Sequence, residues 1–246
     1  YHLEERLVAL GVRNAWAAPK LIAPRRAEST DRIERKPDNI KLELFASMRS
    51  PYSYIVMERT FRLVRQYGLD FEFRPILPMV MRSLPVPAIK RNYITLDTKR
   101  EAEAAGIEFG RMVDPVGEPV ERVYSLYSWA RDQGLGNDLL LSFAQGAFAD
   151  GIDGGTDEGL KLIVERVGLN WDEACTHLGN DDWRLEFEGN RVDLITSGLW
   201  GAPTFKIIGG AGKEDFITWG QDRLWLVEEE VKKRMAKPQT IGQLTA

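Results

Sequence analysis

One cysteine, Cys175, and two histidines, His2 and His177, are all that the 246-residue chain offers of the residues most used for redox and metal chemistry. A lone thiol cannot close an internal disulfide. Two histidines distant in sequence, outside any HExxH or CxxC pattern, give neither a metal-ligand set nor a histidine-based triad. A basic excess is missing too: 33 lysines and arginines against 37 aspartates and glutamates leave a net charge of -4, the wrong sign for tracking phosphates. No apolar run approaches the roughly 20 residues that cross a bilayer. Residues 1–6 carry both charge signs rather than the basic start and apolar centre of a secretory leader. These absences predict a chain with no nucleic-acid, membrane or metal partner, and the solitary cysteine predicts a reducing, cytoplasmic setting.

What the chain does have is enough apolar material for a substantial core, 43% hydrophobic and 10% aromatic residues. The run Leu42-Glu43-Leu44-Phe45-Ala46 reads as a strand, and Pro51 to about Tyr67 as a helix stopped by Gly68. Phe71 to Ile76 reads as a second strand. From 79 to about 190, helical apolar spacing recurs over 90–105, 119–133, 137–149, 157–167 and 171–178, punctuated by glycines. After a helix ending at Gly198, Thr204 to Ile208 and Phe216-Ile217 read as a hairpin across Gly209-Gly210-Ala211-Gly212, and Gly220 onward opens a last helix. Residues 1–39 read as an N-terminal arm or linker, with a short amphipathic helix around Leu3, Leu7 and Leu10, that packs on the domain or on a partner subunit.

The tetrad Ser50-Pro51-Tyr52-Ser53 stands where the first strand gives way to the first helix. Serine is a good N-cap and proline suits the first helical position, so the tetrad alone reads equally as an ordinary helix start. Downstream come Gly201-Ala202-Pro203-Thr204-Phe205 and Trp219-Gly220-Gln221-Asp222-Arg223-Leu224. The three segments, in this order across residues 40–236, resemble the DsbA-like thioredoxin-fold family. Within it they resemble the branch of 2-hydroxychromene-2-carboxylate isomerases and kappa-class glutathione transferases.

That resemblance implies an α/β, thioredoxin-like fold formed by 40–78 and 190–236, an all-helical insertion at 79–189, and a C-terminal tail at 237–246. It implies a cis Ala202-Pro203 bond, with the Ala202 backbone pairing with the cysteinyl part of glutathione, and Ser50 facing the glutathione sulfur as the catalytic group. Serine stands at both sulfur positions of the family's redox device, Ser50 and Ser53. The chain should therefore hold a thiol that it does not supply, and should perform no dithiol–disulfide exchange of its own. A free thiol ionises near pH ~8.5, and a helix N-terminus favours an anion beside it, so the site activates a bound thiol without trapping it.

Tyr52 and Ser53 join Ala202, Pro203, Asp222 and Arg223 as glutathione-binding candidates, Asp222 for an α-ammonium and Arg223 with the last helix's amides for a carboxylate. Tyr52 fits the helix's apolar stripe equally well, and Asp222 and Arg223 can equally be a cap and a surface ion pair. Lys90, Arg91 and Tyr93 follow Pro85-Val86-Pro87 as in the family's proline-rich approach to a Lys-x-x-Tyr helix. Lys90 and Tyr93, with Trp200, are substrate-binding candidates, although a long cation on a helix can equally face water. The family's Gly-Asn before these prolines is missing from Met81-Arg82-Ser83-Leu84-Pro85. The resulting expectation is a glutathione-dependent isomerase acting on a small unsaturated, aromatic-derived acid, as a homodimer. The alternatives are a glutathione transferase, where the conjugate is released, and a non-catalytic thioredoxin-like binding protein.

Overall fold

The computed structural model describes residues 2–11, 25–29, 39–210 and 214–235. The C-terminal tail, the middle of the glycine turn at 211–213 and much of the N-terminal arm lie outside them. Helix α1 (His2–Ala9) matches the short helix expected there.

Strand β1 (Ile40–Ala46), helix α2 (Pro51–Tyr67) and strand β2 (Asp70–Pro75) form a βαβ unit in which β1 and β2 run parallel. Strands β3 (Thr204–Gly209) and β4 (Phe216–Trp219) form an antiparallel hairpin, and β3 also pairs antiparallel with β1, giving the sheet order β2-β1-β3-β4. Helix α9 (Leu224–Met235) follows the hairpin. This is the α/β, thioredoxin-like arrangement expected from the sequence.

Side chains of the central strand alternate faces, as a pleat requires. Ile40, Leu42, Leu44 and Ala46 enter a core shared with α2 and α9, whereas Phe45 enters a smaller cluster with Ile76 and Leu194. Helix α2 ends where expected, because Gly68 adopts φ 62 and its amide caps the Val64 carbonyl. That left-handed conformation suits glycine far better than a residue with a Cβ.

The helices between β2 and β3 are α3 (Ala88–Ala105), α4 (Glu118–Asp132), α5 (Gly136–Phe148), α6 (Asp157–Arg166), α7 (Trp171–His177) and α8 (Trp183–Thr196). The expected division at residue 189 falls inside α8. Its buried positions Trp183, Phe187, Asn190 and Leu194 keep helical spacing straight across that point, so the helix that brings Leu194 to the second face of the sheet already begins at Trp183.

Helix α4 is tied to the sheet by one side chain. The buried Tyr124 hydroxyl accepts from the Met48 amide at 3.1 Å and donates to the Ile76 carbonyl at 3.0 Å, which clamps the loops leaving β1 and β2. Burial drives the phenol's pKa up, so it stays a neutral donor.

Candidate active site

Where β1 leaves the sheet, the backbone turns through Ser47 to Ser50, and the Ser50 amide donates to the Ser47 carbonyl at 2.9 Å. Ser50 is the N-cap of α2: its Oγ accepts from the Ser53 amide at 3.2 Å, and Pro51 follows at the first helical position with no N–H to satisfy. Among the described residues the Ser50 hydroxyl proton is directed by nothing stronger than the Ala202 carbonyl, 3.5 Å away, at the limit of a hydrogen bond. An oxygen whose lone pair is taken by its own helix while its proton is loosely held is a donor in waiting for an anion.

Ala202 reaches Ser50 because the Ala202-Pro203 peptide is cis, as expected. Two further features fix this corner. The Gly220 amide donates to the Pro203 carbonyl at 3.0 Å, which holds the short 3-10 turn Gln221–Arg223 against the proline. Gly201 lies under the Trp219 indole, where a Cβ would come within 2.4 Å of the ring, so only glycine fits without displacing it. Trp200 and Trp219 pack against each other with ring centroids 5.4 Å apart, each close to half exposed.

These residues wall a cavity of about 870 Å³. Ser50, Tyr52, Lys90, Tyr93, Trp200, Ala202, Pro203 and Asp222 all line it, so the structure gathers residues from four separate stretches of sequence at one place. Tyr52 lines the cavity with its hydroxyl already donating to Asp97, another wall residue, at 2.7 Å, and burial with that carboxylate drives its pKa up. Tyr52 is thereby an aromatic wall and not a proton donor to a ligand.

Ser53 and Arg223 are placed differently from expectation. Ser53 is fully buried, its Oγ accepting from the Ser47 amide at 3.3 Å, and it does not line the cavity. One turn into a helix, the side chain after an N-cap, Pro and Tyr points down into the protein, so Ser53 braces the loop that presents Ser50. Arg223 is half exposed and also off the cavity wall, 3.5 Å from the Asp222 carboxylate. The 3-10 turn, tighter than an α-helix, carries Asp222 inward and Arg223 outward.

Sequence reasoning missed several wall residues. Arg49, beside Ser50, makes a bidentate pair with Asp114 at 2.7 and 2.6 Å, which raises its pKa. Adjacency to the tetrad was its only signal. Arg82 reaches the wall from the 3-10 turn Met79–Arg82, with its Nε buried and unpartnered and its Nη2 3.5 Å from the Trp200 carbonyl. Burial pushes its pKa down, although a guanidinium stays charged.

Charge in the cavity is divided. Asp97, Glu101 and Asp114 are engaged by Tyr52 and Arg100, by Gln221 and Arg25, and by Arg49 respectively. Asp222 meets only its neighbour Arg223 among the described residues. Arg82, Lys90 and Arg91 make no close ion pair among the described residues, although Glu188 attracts Arg82 from a distance, and the Lys90 ammonium stands 5.9 Å over the Trp200 ring. The arrangement can take a cation near Asp222, a sulfur anion at Ser50 and a carboxylate near Arg82 and Lys90.

Comparison with known proteins agrees with this architecture. The model of the DSBA-like thioredoxin domain matches residues 41–232. A curated relative, 2-hydroxychromene-2-carboxylate isomerase of Sphingobium xenophagum, is 25% identical over 201 residues, spanning 76% of this chain and 95% of that protein. Among solved structures, a 2-hydroxychromene-2-carboxylate isomerase superposes with a TM-score of 0.61 at 20% identity, over 78% of this chain and 95% of its own. The cytosolic disulfide reductase DsbM of Pseudomonas aeruginosa, also solved with GSH, gives 0.59 at 21% identity over 80% of this chain and 100% of its own.

Proposed function

Because the chain belongs to the DSBA-like thioredoxin domain family, with an isomerase as its curated relative, we propose that it is a glutathione-dependent isomerase. Its substrate is a small unsaturated, aromatic-derived acid. One observation carries the reading: the capping hydroxyl of Ser50 faces the cis Ala202-Pro203 corner on the wall of a cavity that is also lined by Asp222 and by the cations Arg82, Lys90 and Arg91. A zwitterionic thiol peptide carries the complementary groups: a thiol, an α-ammonium and carboxylates.

On this reading Ser50 donates to the glutathione sulfur and favours the thiolate. The thiolate adds to the electrophilic carbon of a conjugated double bond, forming a C–S bond and moving the electron pair toward the conjugated carbonyl. Rotation about the resulting single bond follows. Return of the electron pair re-forms the double bond and expels the thiolate, so glutathione is regenerated and nothing is oxidised or reduced. Tyr52, Trp200 and Tyr93 give the apolar walls such a substrate needs, and Lys90 with Arg82 meets a carboxylate.

Calorimetric titration of the purified protein with glutathione tests the reading. Saturable binding that raises thiolate absorbance near neutral pH is expected. An absence of binding at millimolar glutathione sinks it.

A further inference from the structure

Residues 25–29 precede the family domain at 41–232, yet Arg25 bonds to a residue of the cavity wall. Arg25 Nη1 donates to Glu101 Oε2 at 2.5 Å, and Glu101 lines the wall. Glu101 Oε2 also accepts from Gln221 Nε2 at 3.0 Å. The other end of the same amide, Gln221 Oε1, accepts from Arg59 Nη1 at 3.0 Å. Arg59 is in turn held by Glu28 through Nη2 at 2.6 Å and Nε at 3.2 Å. The path Arg25, Glu101, Gln221, Arg59, Glu28 therefore begins and ends on one short piece of chain.

We infer that Arg25 and Glu28 are positioning residues for the cavity, which hold Gln221 and thereby aim the adjoining Asp222 at the ligand. An amide group offers its donor and acceptor in opposite directions, so fixing both ends fixes its orientation. Gln221 is buried and opens the 3-10 turn that bears Asp222. Each side-chain contact in the path involves a charged group, the stronger kind of hydrogen bond. The Glu101 side chain is only 10% exposed, and Arg25 supplies a cation where burial makes an uncompensated carboxylate costly. The neighbouring Arg26 does something else: its guanidinium lies 4.3 Å over the Trp225 ring, away from this path.

The test uses full-length chains carrying Arg25→Ala, Glu28→Ala, Arg25→Lys or Arg26→Ala. Amide hydrogen exchange at residues 220–223 should accelerate about tenfold in Arg25→Ala and Glu28→Ala, because the turn loses an anchor and opens locally. The glutathione dissociation constant should rise about tenfold in the same two variants. Arg25→Lys, which keeps a cation for Glu101, should recover most of both effects, and Arg26→Ala should change neither. Wild-type exchange in both Arg25→Ala and Glu28→Ala overturns the inference. So does an equal acceleration in Arg26→Ala, since a segment that merely adds stability would give it. The binding arm rests on the glutathione reading; if wild type binds no glutathione that reading falls, while the exchange arm still decides the positioning role.

Discussion

The corner around Ser50 and the wall around Arg82 face the same cavity but are built differently. At Ser50, backbone groups set the geometry: an N-cap accepting the Ser53 amide, a cis peptide bringing Ala202 alongside, and the Gly220 amide bonded to the Pro203 carbonyl. Around Arg82, the tips of long side chains do the work. Arg82, Lys90 and Arg91 come from a 3-10 turn and from α3 and make no close ion pair among the described residues. A backbone-built corner keeps one shape and suits a fixed chemical step. A wall made of long side chains has more rotamers open to it than a backbone corner does. On the proposed function, the thiol step falls to the first part of the site and substrate choice to the second.

Substitutions can break that separation. The largest effect is expected at Ser50. Removing a donor to a buried anion costs about 1.5 to 3 kcal/mol, so Ser50→Ala should lower turnover by roughly 10- to 150-fold at ~1.4 kcal/mol per decade. Glutathione affinity should fall far less, which thiolate absorbance measured beside calorimetry will separate. Equal thiolate fractions in both proteins would remove Ser50 from the chemistry. Next comes Arg82→Gln, expected to raise the KM for an acidic substrate about tenfold with kcat nearly unchanged. A loss confined to kcat would merge the two parts of the site.

A smaller effect is expected of Gly201→Ala. The added Cβ meets the Trp219 ring, which must swing aside, and overpacking of this kind costs about 1 to 3 kcal/mol in a core and less where a half-exposed ring can yield. Thermal unfolding should shift down slightly and Trp219 fluorescence should change, whereas an unaltered spectrum would show that the corner tolerates a Cβ. The smallest effect is expected of Cys175→Ser. Cys175 is exposed on α7, away from the cavity wall, and insulin reduction should stay at background with or without it. Activity lost in that variant would place redox chemistry outside both parts.

How legible the site was follows the same division. The bounds of β2 and β3 came out within a residue because runs such as Thr204 to Ile208 carry their own β pattern, whereas β1 starts two residues before the expected Leu42 and β4 runs two residues past Ile217. The corner was legible through the family resemblance, since its capping serine and proline alone read equally as an ordinary helix start. Asp97, Glu101 and Asp114 were missed because an ordinary charged residue becomes special only through a partner brought by the fold, and Arg82 because only the fold carries its 3-10 turn to the cavity wall. Asp114 meets Arg49 across 65 residues, and Glu101 meets Gln221 across 120. Ser53 and Arg223 erred the other way. They belong to the right motifs, but one turn of helix or 3-10 geometry decides which side chain of a motif faces the cavity, and adjacency in sequence does not reveal it.

The Tyr124 hydroxyl, bonded to both Met48 and Ile76, makes the word insertion misleading in energetic terms. The main core cluster runs without interruption from Leu42 on the central strand through Leu140 and Ile163 of the inserted helices to Val231 on the last. A phenol that closes two strand exits at once couples their opening to the loss of α4, so the helices cannot melt first and leave a competent sheet behind. Heating should produce one calorimetric peak whose enthalpy equals the van't Hoff value. Damage deep among the inserted helices, far from any ligand, would then be felt as a smaller population of molecules with Ser50 in place, and not as a change in what each intact molecule does.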